Sequence, residues 1–152
     1  MEKTHLIGRS IEKELFINAS PERVFRALTE KEELERWFLR KAEIDLCPGG
    51  LIRFEWRPGV FNQGKILVLE PPHRLSYTWE IQTPDVTIVT FELTARNNGT
   101  LLHVKNTGYR EGEDWDSYYD QRDNGWGIHL NNLNSWLETG KERDSGKQNF
   151  TD

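Results

Sequence analysis

Apolar and polar positions alternate most cleanly around Leu75. Leu75, Tyr77, Trp79 and Ile81 share one face there, and Ser76, Thr78 and Glu80 the other, which is the period of a half-buried strand. Between Ser10 and Ser20 the alternation is irregular, with Ile11, Glu14, Phe16 and Asn18 read on one face and Glu12, Leu15 and Ile17 on the other. Ser20-Pro21 then opens a helix, because serine accepts from the first turn as an N-cap and proline suits the first helical position. Val24, Phe25 and Leu28 give that helix its apolar stripe. Thr29 and Glu32 have the spacing of a capping box, predicting a second short helix that carries Leu34, Trp37 and Phe38. Alternation returns from Lys41 to about Asn106. It is interrupted by Pro48-Gly49-Gly50, Pro58-Gly59, Pro71-Pro72, Thr83-Pro84-Asp85 and Asn98-Gly99. Such short connections make consecutive strands antiparallel, and Asn98-Gly99 predicts a two-residue hairpin turn with positive φ at both positions.

From Asp114 to Thr139 the spacing becomes three and four residues, through Trp115, Tyr118, Tyr119, Arg122, Trp126, Leu130, Leu133 and Leu137. An unbroken helix there would be roughly 39 Å long at ~1.5 Å per residue. Gly125 and Gly127 predict a kink or a separate first piece, and Gly140 a C-cap. The order of elements defines an α+β domain over residues 1–140, followed by a polar tail over 141–152. Its expected form is a curved antiparallel sheet of about six or seven strands around a long C-terminal helix, with two short helices after strand 1.

Composition narrows the function. Charged residues make up 30% of the 152 and apolar ones 36%, so the core must draw on the 6 Trp, 4 Tyr and 7 Phe. A net charge of −5 with both signs interspersed argues against nucleic acid or an anionic membrane as a partner. Cys47 is the only cysteine, which excludes an intrachain disulfide and cysteine-based zinc patterns. No signal-peptide h-region and no membrane-length apolar run is present, so a cytoplasmic protein is expected.

Reaction chemistry finds little support. His5, His73, His103 and His129 have no metal-ligand spacing, so no metal and no cofactor is expected. His129 follows Trp126 by one turn but has no evident orienting partner, and no catalytic residue is assigned. Asp116, Asp120 and Asp123 share a helix face near an N-terminus, where a solvated acidic row is favoured by the helix dipole. In Leu51–Arg57, charge places Arg53, Glu55 and Arg57 outward and Ile52, Phe54 and Trp56 inward.

Several pieces occur together in order: Ser20-Pro21, Val24-Phe25, Ala27-Leu28-Thr29, Leu34 with Trp37-Phe38, Gly49-Gly50, Gly64, the stretch Glu70–Glu80, Gly99-Thr100 with Leu102, and Gly125-Trp126. Over roughly Ile11 to Leu137 they resemble the activator of heat shock protein 90 ATPase homologue-like family, a branch of the START-related SRPBCC superfamily. The resemblance implies the helix-grip fold with a deep cavity under the last helix. It also implies either a small apolar ligand or a chaperone as partner, in a monomer or homodimer, and the superfamily includes cyclases and aromatases. Where such relatives often carry a histidine, this chain has Asn106, so no proton transfer is expected there.

Composition alone favours a packed aromatic core. The cavity implied by the resemblance turns the same rings into a lining. Trp37, Phe38, Phe54, Trp56, Tyr77, Trp79, Phe91 and Trp126 would supply apolar area, and Asn106, His129 and the Tyr77 hydroxyl would orient a ligand.

Overall fold

The computed structural model describes residues 9–80, 86–110 and 112–143. Strand β1 (Arg9–Ile17) leads into helices α1 (Pro21–Thr29) and α2 (Lys31–Trp37). Strands β2 (Lys41–Ile44), β3 (Leu51–Arg57), β4 (Val60–Glu70), β5 (Arg74–Glu80), β6 (Val86–Arg96) and β7 (Gly99–Tyr109) follow, and helix α3 (Glu113–Thr139) comes last. The strands form one curved seven-stranded antiparallel sheet in the order β1-β7-β6-β5-β4-β3-β2. The short turns make β2 to β7 a meander, and α1 and α2 carry the chain between the sheet's two edges. α3 lies across the inner face, which gives the expected helix-grip architecture.

Local chemistry explains most boundaries. Ser20 Oγ accepts from the Arg23 N–H at 3.1 Å, and Pro21 begins α1. The capping box at Thr29 does not form, because Thr29 belongs to α1 and its buried hydroxyl donates to the Phe25 carbonyl at 2.8 Å. Glu30 takes the N-cap position of α2 without a side-chain bond. The hairpin turn lies one residue earlier than Asn98-Gly99, with φ of 50° at Asn97 and 66° at Asn98. Gly99 is needed for space instead: a Cβ there would sit 2.6 Å from the Ile17 carbonyl oxygen. The turn expected at Thr83-Pro84-Asp85, Ile81, and the tail beyond Arg143 lie outside the described residues.

β1 alternates regularly from Ile11 to Ile17, contrary to the irregular alternation expected of it, and its one irregularity is a register shift against β7 between Arg9 and Ser10. Ile11 and Ile17 are buried and Lys13 and Leu15 half-buried on one face, with Glu12, Glu14 and Phe16 exposed on the other. Lys13 belongs to the inner set because its ammonium reaches past the strand to Asp123 of α3, at 3.0 Å. β7 continues past Asn106 to Tyr109. α3 is one continuous helix through Gly125 and Gly127, so the expected separate first piece does not occur, and Gly140 ends it at φ 75°. Residues 141–143 run back along α2, where Arg143 donates to the carbonyls of Arg36 and Leu39.

The free edge of β2 is covered by side chains. Ala42 N–H donates to Glu35 at 2.9 Å and the Lys31 ammonium donates to the Ala42 carbonyl at 3.3 Å, so a Lys31–Glu35 pair replaces a neighbouring strand. α3 is fastened near both ends. Arg9 pairs with Asp116 at 2.8 Å, Tyr119 donates to the Ser10 carbonyl at 3.0 Å, and Trp136 donates to Glu33 at 2.7 Å. The acidic row thus includes two members that tie α3 to β1.

Candidate functional site

Alternation on β3, β5 and β6 turns Phe54, Trp56, Tyr77, Trp79 and Phe91 to the inner face, where all are buried. Phe38 enters from the end of α2, and Trp126 and His129 come down from α3. Phe38 is the hub: its ring centroid lies 5.9 Å from Phe54, 5.2 Å from Trp56, 6.2 Å from Trp79, 6.0 Å from Trp126 and 4.9 Å from His129. Trp79 contacts Phe54, Trp56, Tyr77 and Trp126 at 5.9–6.2 Å. Phe91 closes the far side against Tyr77 and Trp126. Trp37 stacks on Phe38 at 4.6 Å but points away, its N–H donating to the Ala27 carbonyl at 2.8 Å, so it supports the cluster from behind.

The polar groups divide into satisfied and unsatisfied. Asn106 Oδ1 accepts from Tyr109 OH at 2.6 Å and Trp126 Nε1 at 3.2 Å, while its amide donates to the Ile88 carbonyl at 3.1 Å. Asn106 is therefore committed to holding α3 on the sheet. Asn62 accepts from Trp56 Nε1 at 2.6 Å. Trp79 Nε1, Asn62 Nδ2 and Arg122 Nε are buried without an acceptor among the described residues. Burial pushes the Tyr77 and Tyr109 hydroxyls up, so both stay protonated. His129 is half-buried by area, with its ring against Phe38, Trp56 and Trp126. Burial pushes it down to about 3, and the charges of Arg122 and Arg143 add to the effect. A ring neutral at every ordinary pH is a poor general base.

The space under α3 is nearly filled by these rings. A void of about 10 Å³ remains, bordered by Trp56, Trp79, Arg122, Gly125, Trp126 and His129. That is about the room of one water-sized probe. The deep cavity implied by the resemblance is instead an aromatic cluster with a small polar gap, the packed arrangement that composition alone favours. A larger depression of about 370 Å³ lies over the outer face, beside Glu43, Leu51, Arg53, Gln63, Lys65 and Glu80. It is a solvated surface of mixed charge, and none of the expected lining residues reaches it. Among the described residues no group of histidine, cysteine and carboxylate side chains is placed to hold a metal, and no helix is long and apolar enough to cross a membrane.

Asn62, Tyr109 and Arg122 were not expected at the site. Arg122 was the legible one, since it interrupts an otherwise apolar stripe four residues before Trp126. Tyr109 was hidden because β7 was expected to end at Asn106.

A curved sheet holding a C-terminal helix, with an aromatic layer between them, defines a helix-grip protein. Residues 18–138 match the family model of Activator of Hsp90 ATPase homolog 1-like proteins, and the chain belongs to that family, within the SRPBCC superfamily. No curated protein matches the sequence significantly. Among solved structures, protein MLL2253 from Mesorhizobium loti is similar at 29% identity over 86% of this chain and 97% of its own, with a TM-score of 0.79. CalU16 from Micromonospora echinospora is similar at 26% identity over 93% of this chain and 84% of its own, with a TM-score of 0.73. The Aha1 dimer from Colwellia psychrerythraea shares the fold at 24% identity over 88% of this chain and 98% of its own, with a TM-score of 0.77.

Proposed function

We propose that this protein binds a small apolar or aromatic molecule between the inner face of the sheet and α3, the rings of the cluster parting to admit it. The observation that carries this reading is the indole N–H of Trp79. A packed core satisfies its buried donors, and leaving one orphaned costs about 1–3 kcal/mol. A phenylalanine at this position would carry no orphaned donor. An indole kept there, bordering the small gap, is accounted for if a ligand's acceptor atom meets it. The fastening of α3 fits the same reading, because its exposed ion pairs contribute about 0–1 kcal/mol each and the middle of the helix is held by ring contacts and the single Trp126–Asn106 hydrogen bond.

The test is a titration of the ¹⁵N-labelled protein with the neutral probe 2-naphthamide, following the indole N–H signals, with Trp79→Phe to assign its resonance. Saturable shifts centred on Trp79 and Trp126 are expected. Shifts that stay linear with concentration, or that spare those two indoles, would remove the reading.

The family's description supports a second reading, contact with an Hsp90-type ATPase through the outer surface. An Hsp90 ATPase rate unchanged by excess purified protein would remove it.

A further inference from the structure

The gap under α3 is lined by hydrogen-bond donors without a matching acid. Trp79 Nε1 and Arg122 Nε are both buried and lack acceptors among the described residues, and both residues border the same void. Asn62 directs its oxygen at Trp56, which leaves its amide as a third buried donor beside the cluster. None of the residues bordering the gap is a carboxylate. Arg122 lies over the Tyr118 ring at 4.9 Å and enters no ion pair among the described residues, whereas Arg9, Arg23, Arg36 and Arg74 each face an acidic partner. His129 is the other polar ring there, and its uncharged state leaves the guanidinium as the site's net charge.

A cation and an indole N–H on residues that border one gap, each with an unused donor, suit an oxygen that carries negative charge, and a charge-assisted bond is about twice as strong as a neutral one. Arg122 is half-buried with its Nε fully enclosed, so an anionic oxygen reaching that N–H would gain a bond the folded chain leaves unmade. Resting on the reading that a small molecule enters beneath α3, we infer that its ligand is an aromatic acid: the carboxylate or phenolate oxygen meets Arg122 and Trp79, and the ring system replaces side-chain contacts within the cluster. The gap, about 10 Å³, matches one ligand oxygen and not a ring. The polar end therefore sits at the gap, and the apolar end displaces rings.

Isothermal titration of the purified chain with three probes of one shape separates the ideas: 2-naphthoate, 2-naphthamide and 2-naphthylmethylammonium. The expected order is naphthoate about tenfold or more tighter than the amide, the size of one charge-assisted hydrogen bond, with the ammonium weakest. In Arg122→Gln the naphthoate-to-amide ratio falls to about one, Arg122→Lys restores part of it, and added salt weakens naphthoate more than amide. The indole signal of Trp79 shifts further with naphthoate than with amide. Equal affinity for all three probes overturns the charge assignment while leaving ligand binding intact. A charge preference that survives Arg122→Gln in a folded variant overturns the role of Arg122. Binding of none of the probes overturns the inference and the ligand-binding reading together.

Discussion

His129 offers a direct test of how dry the aromatic cluster is. Its ring centroid lies 4.9 Å from Phe38, 5.2 Å from Trp56 and 5.8 Å from Trp126. Burial among these rings, together with Arg122 and Arg143, moves it from the ordinary 6.5 to about 3. The folded state thus resists protonation, and the unfolded chain takes up the proton first as pH falls. Stability from this group is fully present above about pH 6.5 and is lost progressively toward about pH 3. At about pH 5 the environment lies ~1.5 units below the ordinary value, and each unit is ~1.36 kcal/mol, so the loss is about 2 kcal/mol at most. The side chain's partial exposure lowers this to about 1–2 kcal/mol. Urea unfolding of the wild-type chain and His129→Phe at about pH 8 and about pH 5 isolates the effect, because the other histidines and the carboxylates are common to both. The wild type is expected to lose about 1–2 kcal/mol more than the variant on acidification. Equal losses would show that the ring is hydrated, and the account of a dry cluster would fall.

Asn106→Leu removes the acceptor shared by Tyr109 and Trp126 and the donor to Ile88, and is expected to cost about 2–4 kcal/mol in urea unfolding. A change below about 0.5 kcal/mol would show that these bonds do not hold α3 to the sheet. Gly99→Ala places a methyl against the Ile17 carbonyl and the Phe16 ring, and thermal unfolding is expected to report a loss of about 2 kcal/mol. Asn98→Gly, at a position already in the left-handed region, is expected to be neutral within about 0.5 kcal/mol. Equal effects from these two substitutions would contradict the placement of the turn at Asn97-Asn98.

The strand faces were legible wherever period-two alternation was strong. Leu75, Tyr77 and Trp79 lie inward as read, and so do Ile52, Phe54 and Trp56. What defeated the pattern was side-chain reach. Lys13 is polar yet belongs to the inner set because its stem crosses to Asp123, and Phe16 is apolar yet exposed beside Gly99. Thr29 has the right spacing to Glu32 for a cap, but it is the last residue of α1, and its hydroxyl donates back to the Phe25 carbonyl instead of accepting from the first turn of α2. The Asn-Gly signal points one residue late, since two asparagines precede the glycine and either can accept positive φ.

The candidate site was legible as a set of rings and not as a volume. Trp37, Phe38, Phe54, Trp56, Tyr77, Trp79, Phe91, Asn106, Trp126 and His129 form one connected group through ring contacts and hydrogen bonds. Whether such rings meet or stand apart depends on shifts of a few ångströms between elements distant in sequence, and periodicity carries no information on that scale. Hydrogen bonds distinguish what periodicity does not: the oxygen and amide of Asn106 are both engaged within the fold, whereas Trp79 Nε1 and Arg122 Nε have no acceptor among the described residues.

If the aromatic cluster opens to hold a guest, a crystal structure of the protein grown with saturating 2-naphthoate will show it. Naphthyl density is expected between the inner face of β5 and α3, with Trp79 or Trp126 rotated from its place in the cluster and the carboxylate against Arg122. Rings packed as they are here, with the probe absent or seated only on the outer face of the sheet, would contradict it.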